Sequence, residues 1–261
     1  MNKIRKAYDS GKIFWILLDL CLIYGAWIFL VTCTAAKDTF PAPAEVFKML
    51  FLSFTEPIGV YTIWGHIAWS LYRVAVGFIL AAVSGVAVGI AMGSSKMGEA
   101  IIKPLFEFLR PIPPIAWIPL AILWFGIGEK SKYFIIWLGA FINVTLNAYA
   151  GAVRTDETLI GAARMLGAGD LQVFLRIILP SSMPQIFAGL QVAMSSCWMA
   201  VLVAEMVRST EGVGWIIIRG NDTGNTTQII VGMITIGLIG FILAVIMRWV
   251  ERKMCSWNTT L

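Results

Sequence analysis

Five long apolar runs, at residues 13–34, 67–93, 133–153, 184–207 and 229–249, and a sixth broken by prolines at 99–128, leave this chain few ways to fold. Each holds roughly the 20 residues that a helix needs to cross about 30 Å of hydrocarbon. A segment in lipid must satisfy its own backbone N–H and C=O groups, so the runs are expected as helices packed side by side. The expected fold is all-α, a polytopic membrane protein of six transmembrane helices in one domain over 1–261. Composition agrees: 59% of the 261 residues are apolar and 13% charged, outside the range of soluble domains.

Six crossings put both termini on one side of the membrane. Thirteen of the 20 Lys and Arg residues fall on that side and seven on the other, so the positive-inside bias places the termini in the cytosol. The net charge of +5 follows from these flanking residues and requires no nucleic-acid partner. A cleaved leader competes for the first run, since LVTC at 30–33 approaches a lipoprotein box. The run is longer than a leader's core, and Thr32 is large for its position, so a retained helix is expected. Asp19 within it lies near enough to the cytosolic end to reach headgroups. Trp15, Trp64, Trp215 and Trp249 fall near span ends, as an aromatic belt would. Cys21, Cys33, Cys197 and Cys255 have no CxxC spacing and read as small packing residues. No Walker A loop, nucleophile elbow, HExxH or Cys/His cluster occurs, which argues against an ATPase or any enzyme.

Polar groups inside the spans are the candidate functional residues. In 67–93, Ser70, Arg73, Gly77, Ala81 and Ser84 recur at helical spacing, and Gly85, Gly89 and Gly93 form a doubled GxxxG that permits close helix approach. Arg73 needs a partner or an aqueous cavity, whereas His66, the only histidine, reads as structural. Asn143 and Asn147, four residues apart, either glue helices together or line a pathway. Gln191, Ser195, Trp198 and Glu205 share one face of 184–207 by helical arithmetic. With Arg73, Asn143 and Asn147 they are expected to line a substrate pathway; the alternative for Glu205 is a wet outer end.

The broken run offers Ile101, Leu105, Phe108 and Leu109 as a face expected to point inward, before Pro111, Pro113 and Pro114 stop the helix. Backbone freed at such a break must be covered by protein or a cavity. Between the first two spans, Pro41 and Pro43 begin a short outer amphipathic helix with Val46, Phe47, Leu50 and Phe51 on one side. Residues 208–228 are expected as a hairpin-like outer excursion.

The interval 156–180 carries two helix-like pieces instead of a flexible loop. Thr155 is expected to cap the first, with Asp156 and Glu157 in its first turn where the helix dipole favours acids. Gly161, Ala162 and Ala163 give it a flat surface. Gly167 and Gly169 stop it, and Asp170 is expected to cap a second helix that ends before Pro180.

Here the chain resembles the permeases of ATP-binding-cassette importers, whose cytoplasmic loop carries E-A-A, three residues, G, nine residues, then I-x-L-P. Gly161, Ala162, Ala163, Gly167, Ile177, Leu179 and Pro180 match, with glycine where the family usually has glutamate and Glu157 one turn earlier. The stretch 110–128, RPIPPIAWIPLAILWFGIG, the proline-rich start at 41–43 and the pair Gly212 and Gly214 resemble the nitrate, sulfonate and taurine branch. The resemblance implies the methionine-permease-like (MetI-like) fold of type I importers, in the bacterial inner membrane. It implies coupling, through Glu157 and the seven motif residues, to a dimer of cytosolic ATPases that hold the ATP and magnesium, with no cofactor on this chain. It also implies a second permease copy, as in a homodimer, and an extracytoplasmic solute-binding protein. The implied substrate is a small oxyanion, although the same branch includes permeases for pyrimidine and other vitamin precursors. A stand-alone carrier or channel would carry inverted repeats with paired broken helices, and the sequence has one broken helix. A membrane scaffold would leave the polar stripes unexplained.

Overall fold

The computed structural model describes residues 2–33, 40–207 and 209–254; Lys37 and Arg208, two of the seven basic residues counted on the outer side, and Cys255 lie outside them. The helices among the described residues are α1 (Asn2–Cys33), α2 (Pro43–Leu52), α3 (Ile63–Ser94), α4 (Lys96–Leu109), a 3-10 turn (Pro114–Trp117) running into α5 (Ile118–Phe125), α6 (Glu129–Val153), α7 (Glu157–Met165), α8 (Asp170–Val173), α9 (Leu179–Met206), α10 (Val213–Asp222) and α11 (Thr226–Met254). Four helices are long and apolar enough to cross a bilayer: α3, α6, α11 and the continuous Asp170–Met206 helix that contains α8 and α9. Helix α4 and the Pro114–Phe125 segment are together long and apolar enough for a fifth crossing, with a bend of 88° between them. The sixth expected crossing lies in α1, which is 32 residues long but whose described apolar stretch is only Cys21–Cys33.

Helix α6 lies between α3 and α9 at the centre of the bundle. The small stripe of α3 makes this possible, because its glycines touch α6 directly. A Cβ on Gly77 would lie 2.4 Å from Ile136 Cγ2, on Gly85 2.8 Å from Val144 Cβ, on Gly89 2.4 Å from the Thr145 carbonyl oxygen, and on Gly93 2.6 Å from Ala152 Cβ. The GxxxG pattern therefore serves packing within the chain. Val74, Ala81, Ile136, Val144, Ala193, Cys197 and Val201 fill the core between these helices. Cys197 is a packing residue, as read from the sequence, whereas Cys21 and Cys33 are exposed on α1.

Three expectations about faces change. In α4 it is Phe106 that is buried, and Ile101, Leu105 and Phe108 are exposed. The reason is polar: Lys103 Nζ bonds Glu99 at 2.7 Å and the Tyr149 hydroxyl of α6 at 2.9 Å, which turns the charged face of α4 toward the protein. In α2, Val46 is buried against Val213, Ile216 and Val231, while Phe47 and Phe51 face out. The segment expected as an outer excursion contains the ordered helix α10, whose apolar residues pack on α11 between glycine and asparagine punctuation at its two ends. Trp64 and Trp249 are exposed near helix ends and Trp15 is exposed in the middle of α1, but Trp215 stacks on His66 with centroids 5.2 Å apart.

At one end of the bundle, α7 and α8 form a protrusion. Asp156, not Thr155, caps α7 by accepting from the Thr158 N–H at 2.8 Å; the Thr155 hydroxyl pairs with Ser181 instead. Gly167 closes the helix in the left-handed region at φ +84°. Its N–H donates to Arg164 and that of Ala168 to Ala163, both at 3.0 Å, the double closure of a Schellman end. Gly169, not Asp170, precedes α8, and Asp170 in the first turn pairs with Arg164 at 3.0 Å. Pro180 does not end the second helix. The chain passes through one π turn, Phe174–Ile178, into α9, and such a turn absorbs the donor that proline lacks.

Candidate functional site

A cavity of about 590 Å³ opens between the proline corner after α4, the middle of α6 and one face of α9. Pro113 is extended and Pro114 starts the 3-10 turn, and Gly139 lets this corner approach α6, since a Cβ there would sit 3.1 Å from Ala200 and 3.6 Å from Pro114. Gly139 is ten residues into α6, about 15 Å of helical rise, so the cavity reaches mid-bundle depth. Its wall is largely apolar, with Ile112, Val192 and Met199 prominent, and its polar groups are Arg110, Asn143, Ser195 and Ser196. The Asn143 amide is fixed, donating to Ser196 Oγ at 2.8 Å and to the Gly139 carbonyl at 3.3 Å. Arg110 has Glu107 as its nearest carboxylate, at 3.6 Å, with the two side chains 44% and 49% exposed.

Two of the seven residues expected along the pathway, Asn143 and Ser195, line this cavity. Asn147 donates to the Asn143 carbonyl at 2.9 Å and packs against Gly189, so it joins α6 to α9. Gln191 is half-buried beyond the lining. Trp198 is buried and donates from Nε1 to the Ile236 carbonyl of α11 at 3.1 Å. The cavity face of α9 carries Val192, Ser195, Ser196, Met199 and Val203, roughly a third of a turn from Trp198 and Glu205. Helical arithmetic found a shared face, but α11 covers Trp198, and α3 and α10 cover Glu205.

Arg73 and Glu205 do not line this cavity. Both are fully buried at the end of the bundle opposite the protrusion, inside a closed ionic cluster. The Arg73 guanidinium meets Glu129 at 2.7 Å through both Nε and Nη2, Glu205 at 2.9 Å, the Glu211 carboxylate at 2.6 Å and the Glu211 carbonyl at 3.0 Å. Lys132 adds bonds of 2.8 Å to Glu129 and Ser209. Burial pushes the Glu211 carboxyl up, but the Thr210 hydroxyl and the Arg73 guanidinium outweigh it and hold the group below its ordinary range.

The glycine corner before α10 completes this cluster. Three successive amides are satisfied by buried side chains: Gly212 N–H donates to His66 Nδ1, Val213 N–H to Ser70 Oγ, and Gly214 N–H to Glu205 Oε2. Because Nδ1 accepts, the His66 proton sits on Nε2, which bonds the Ile58 carbonyl at 2.9 Å. Only glycine fits at 212, where φ is +112° and a Cβ would lie 2.3 Å from the Glu205 carboxyl carbon. His66 is structural, as the sequence suggested. Glu129, Lys132 and Glu211 were missed; their one signal was charge at the boundaries of apolar runs.

The protrusion presents a different surface. Leu159, Met165, Leu166 and Leu171 stand out from it, Met165 and Leu166 at 90% exposure. Glu157, Gly161 and Ala162 are exposed, and a Cβ on Gly161 would meet nothing within 4 Å. Ala163, Ile177 and Leu179 are half-buried where the protrusion joins the bundle, and Pro180 is exposed.

Residues 84–255 match the family described as "Binding-protein-dependent transport system inner membrane component". The chain is 34% identical over 242 residues to the taurine transport system permease protein TauC of Escherichia coli (strain K12), covering 92% of this chain and 88% of that one. It is 35% identical over 220 residues to the putative aliphatic sulfonates transport permease protein SsuC of Bacillus subtilis (strain 168), covering 84% and 78%. It is 29% identical over 253 residues to the nitrate import permease protein NrtB of Leptolyngbya laminosa, covering 96% and 88%. Among solved structures, the inward-facing MetNI methionine ABC transporter aligns with a TM-score of 0.61 at 18% identity, over 70% of this chain and 92% of that one.

Proposed function

This chain belongs to the binding-protein-dependent transport system inner membrane components, the non-catalytic permease subunits of ATP-binding-cassette importers, and on that footing we propose that it passes a small oxyanion, a sulfonate such as taurine or nitrate, through the Arg110–Asn143–Ser195–Ser196 cavity. The observation that carries this reading is the cavity itself: an open, mostly apolar groove whose polar groups are a cation, an amide and hydroxyls. Relatives named for taurine, sulfonates and nitrate agree with that chemistry. The protrusion fits a docking role. Its capped helices and left-handed glycine closure make it stiff, and its exposed Met165 and Leu166 offer apolar anchors to a groove. In this reading a cytosolic ATPase dimer, holding ATP and magnesium, grips the protrusions of two permease copies. Its closure moves them together, and the spans switch which side the cavity opens to. A solute-binding protein delivers the anion at the opposite face, and both termini are cytosolic.

The experiment is uptake of labelled taurine and of labelled nitrate by cells that produce this chain with its ATPase and binding protein. Uptake of at least one anion, lost when the ATPase is inactivated, is expected. Uptake of an uncharged pyrimidine with neither anion, or uptake that persists without ATP hydrolysis, would overturn the reading.

A further inference from the structure

The arginines Arg73 and Arg110 are in opposite states. Arg73 is sealed and bonded to three carboxylates at 2.6–2.9 Å. Arg110 makes no side-chain hydrogen bond among the described residues, and its one carboxylate neighbour stands 3.6 Å away, three residues back on the same helix. We infer that Arg110 is the residue that selects an anion in the cavity, with Glu107 as the counter-charge it gives up when the anion arrives. This rests on the reading of the cavity as the substrate pathway.

Three features of the site carry the inference. First, Arg110 is the one charged side chain among the described residues that line the cavity, and its carboxylate neighbour Glu107 stands outside that lining. A low-dielectric wall concentrates the field of such a charge, which favours anions and opposes cations. Second, the remaining polar groups are placed to help. The Asn143 amide is held by Ser196 and Gly139, and the Ser195 hydroxyl stands on the cavity face of α9. A planar guanidinium fork backed by an amide and hydroxyls matches two oxygens of a sulfonate or nitrate. Third, Arg110 is positioned without being consumed. Its backbone N–H closes α4 on the Phe106 carbonyl at 2.9 Å, and Pro111 follows immediately, so the backbone is fixed while the side chain stays free.

This arginine ends a row of half-exposed charges on α4. Lys96, Glu99, Lys103, Glu107 and Arg110 recur at three- and four-residue spacing and form one charged stripe along α4. The stripe pairs with itself at Glu99–Lys103 and loosely at Glu107–Arg110. It runs from the protrusion end of the bundle up to the cavity. An anion released from Arg110 therefore leaves along a hydrated, charge-balanced face while Glu107 closes back onto the guanidinium.

The test reads the cavity's charge directly and does not depend on knowing the substrate. Ser195→Cys is placed in a chain lacking Cys21, Cys33, Cys197 and Cys255, assembled with its ATPase. It is labelled with an anionic ethylsulfonate methanethiosulfonate and with its cationic trimethylammonium counterpart. The anionic-to-cationic rate ratio should fall roughly tenfold with Arg110→Gln, as loss of one nearby charge in a partly screened site implies, and recover with Arg110→Lys. Glu107→Gln, which leaves the arginine in place, should raise the ratio and covers the case in which Arg110→Gln does not assemble. A ratio that Arg110→Gln and Glu107→Gln both leave unchanged overturns the inference. If the ratio moves as expected but neither taurine nor nitrate is transported, Arg110 stands and the substrate reading falls. If taurine or nitrate is transported with the ratio unmoved, the reverse holds.

Discussion

Arg73 and Glu205 are 132 positions apart in the chain, and their side chains meet at 2.9 Å with no exposure on either. The contact joins α3 to the end of α9, and Glu129 and Glu211 draw the start of α6 and the α9–α10 connection onto the same guanidinium. Removing one partner of a buried pair leaves an uncompensated charge and typically costs about 3–5 kcal/mol. Arg73→Met, which leaves three carboxylates facing only Lys132, should lower the melting temperature in detergent far more than Glu205→Gln, which keeps an acceptor for Ser70. Equal melting of Arg73→Met and the parent would show that the cluster does not hold these helices.

Gly89 sets the distance between α3 and α6. Its missing Cβ would press on backbone, the Thr145 carbonyl oxygen at 2.4 Å, which cannot move aside as a side-chain tip would. Gly89→Leu should destabilise the bundle by about 1–3 kcal/mol or more. Gly237→Leu, on α11 with open space around it, should be tolerated. The comparison of the two melting curves is the measurement, and coincident curves would contradict the packing role.

Gly167 offers a cleaner substitution because space is not the issue. Nothing lies within 4 Å of a Cβ there, yet φ is +84°, so the cost for valine is conformational, about 1–2 kcal/mol. Gly167→Val should leave the inserted protein stable but loosen the corner between α7 and α8, reducing substrate-stimulated ATPase activity of the reconstituted complex. Gly161→Glu should keep that activity, since its side chain enters open space. Full stimulation in Gly167→Val would mean that the corner's geometry does not transmit force.

The cap of α7 predicts a pH dependence. The Thr158 N–H holds the Asp156 carboxyl below its ordinary range. A group whose folded value is depressed stabilises above its unfolded pKa, near 3.9, and loses that contribution as pH falls through the folded value. Amide-exchange protection factors at the start of α7 should therefore hold from neutral pH down to about 4 and fall below it. Asp156→Ala should show the lower protection already at neutral pH, with no further drop on acidification. Identical profiles for the two proteins would contradict the assignment of the cap.

Much of this architecture was legible because lipid permits few alternatives. The apolar runs gave the helices, the small stripe of α3 gave a close-packed face, and Gly167 gave the corner of the protrusion. What stayed hidden depended on partners distant in sequence. Glu205 shares a periodic face with Ser195, but periodicity does not say which face a neighbouring helix covers; α3 and α10 enclose the one and the cavity opens beside the other. Arg110 was overlooked because it stands at a helix end among prolines, where an arginine reads as a flanking charge. Helix α10 was missed because the glycines that bound it also read as loop, and only the cradle around Glu205 shows why they are there.

The central claim is that the face of α9 bearing Ser195 meets water in a pathway. Single cysteines at 192, 195 and 199, all on the cavity face, can be compared with 193, 197 and 201, whose side chains are fully buried. Each is made in a background without the other cysteines and treated with a membrane-impermeant thiol reagent in the assembled transporter, with and without ATP. The account predicts strong labelling of the first set, weak labelling of the second, and rates in the first set that change with nucleotide. Equal labelling of the two sets, or no labelling of 192, 195 and 199 in any nucleotide state, would mean that this face meets lipid or another helix and that the pathway lies elsewhere.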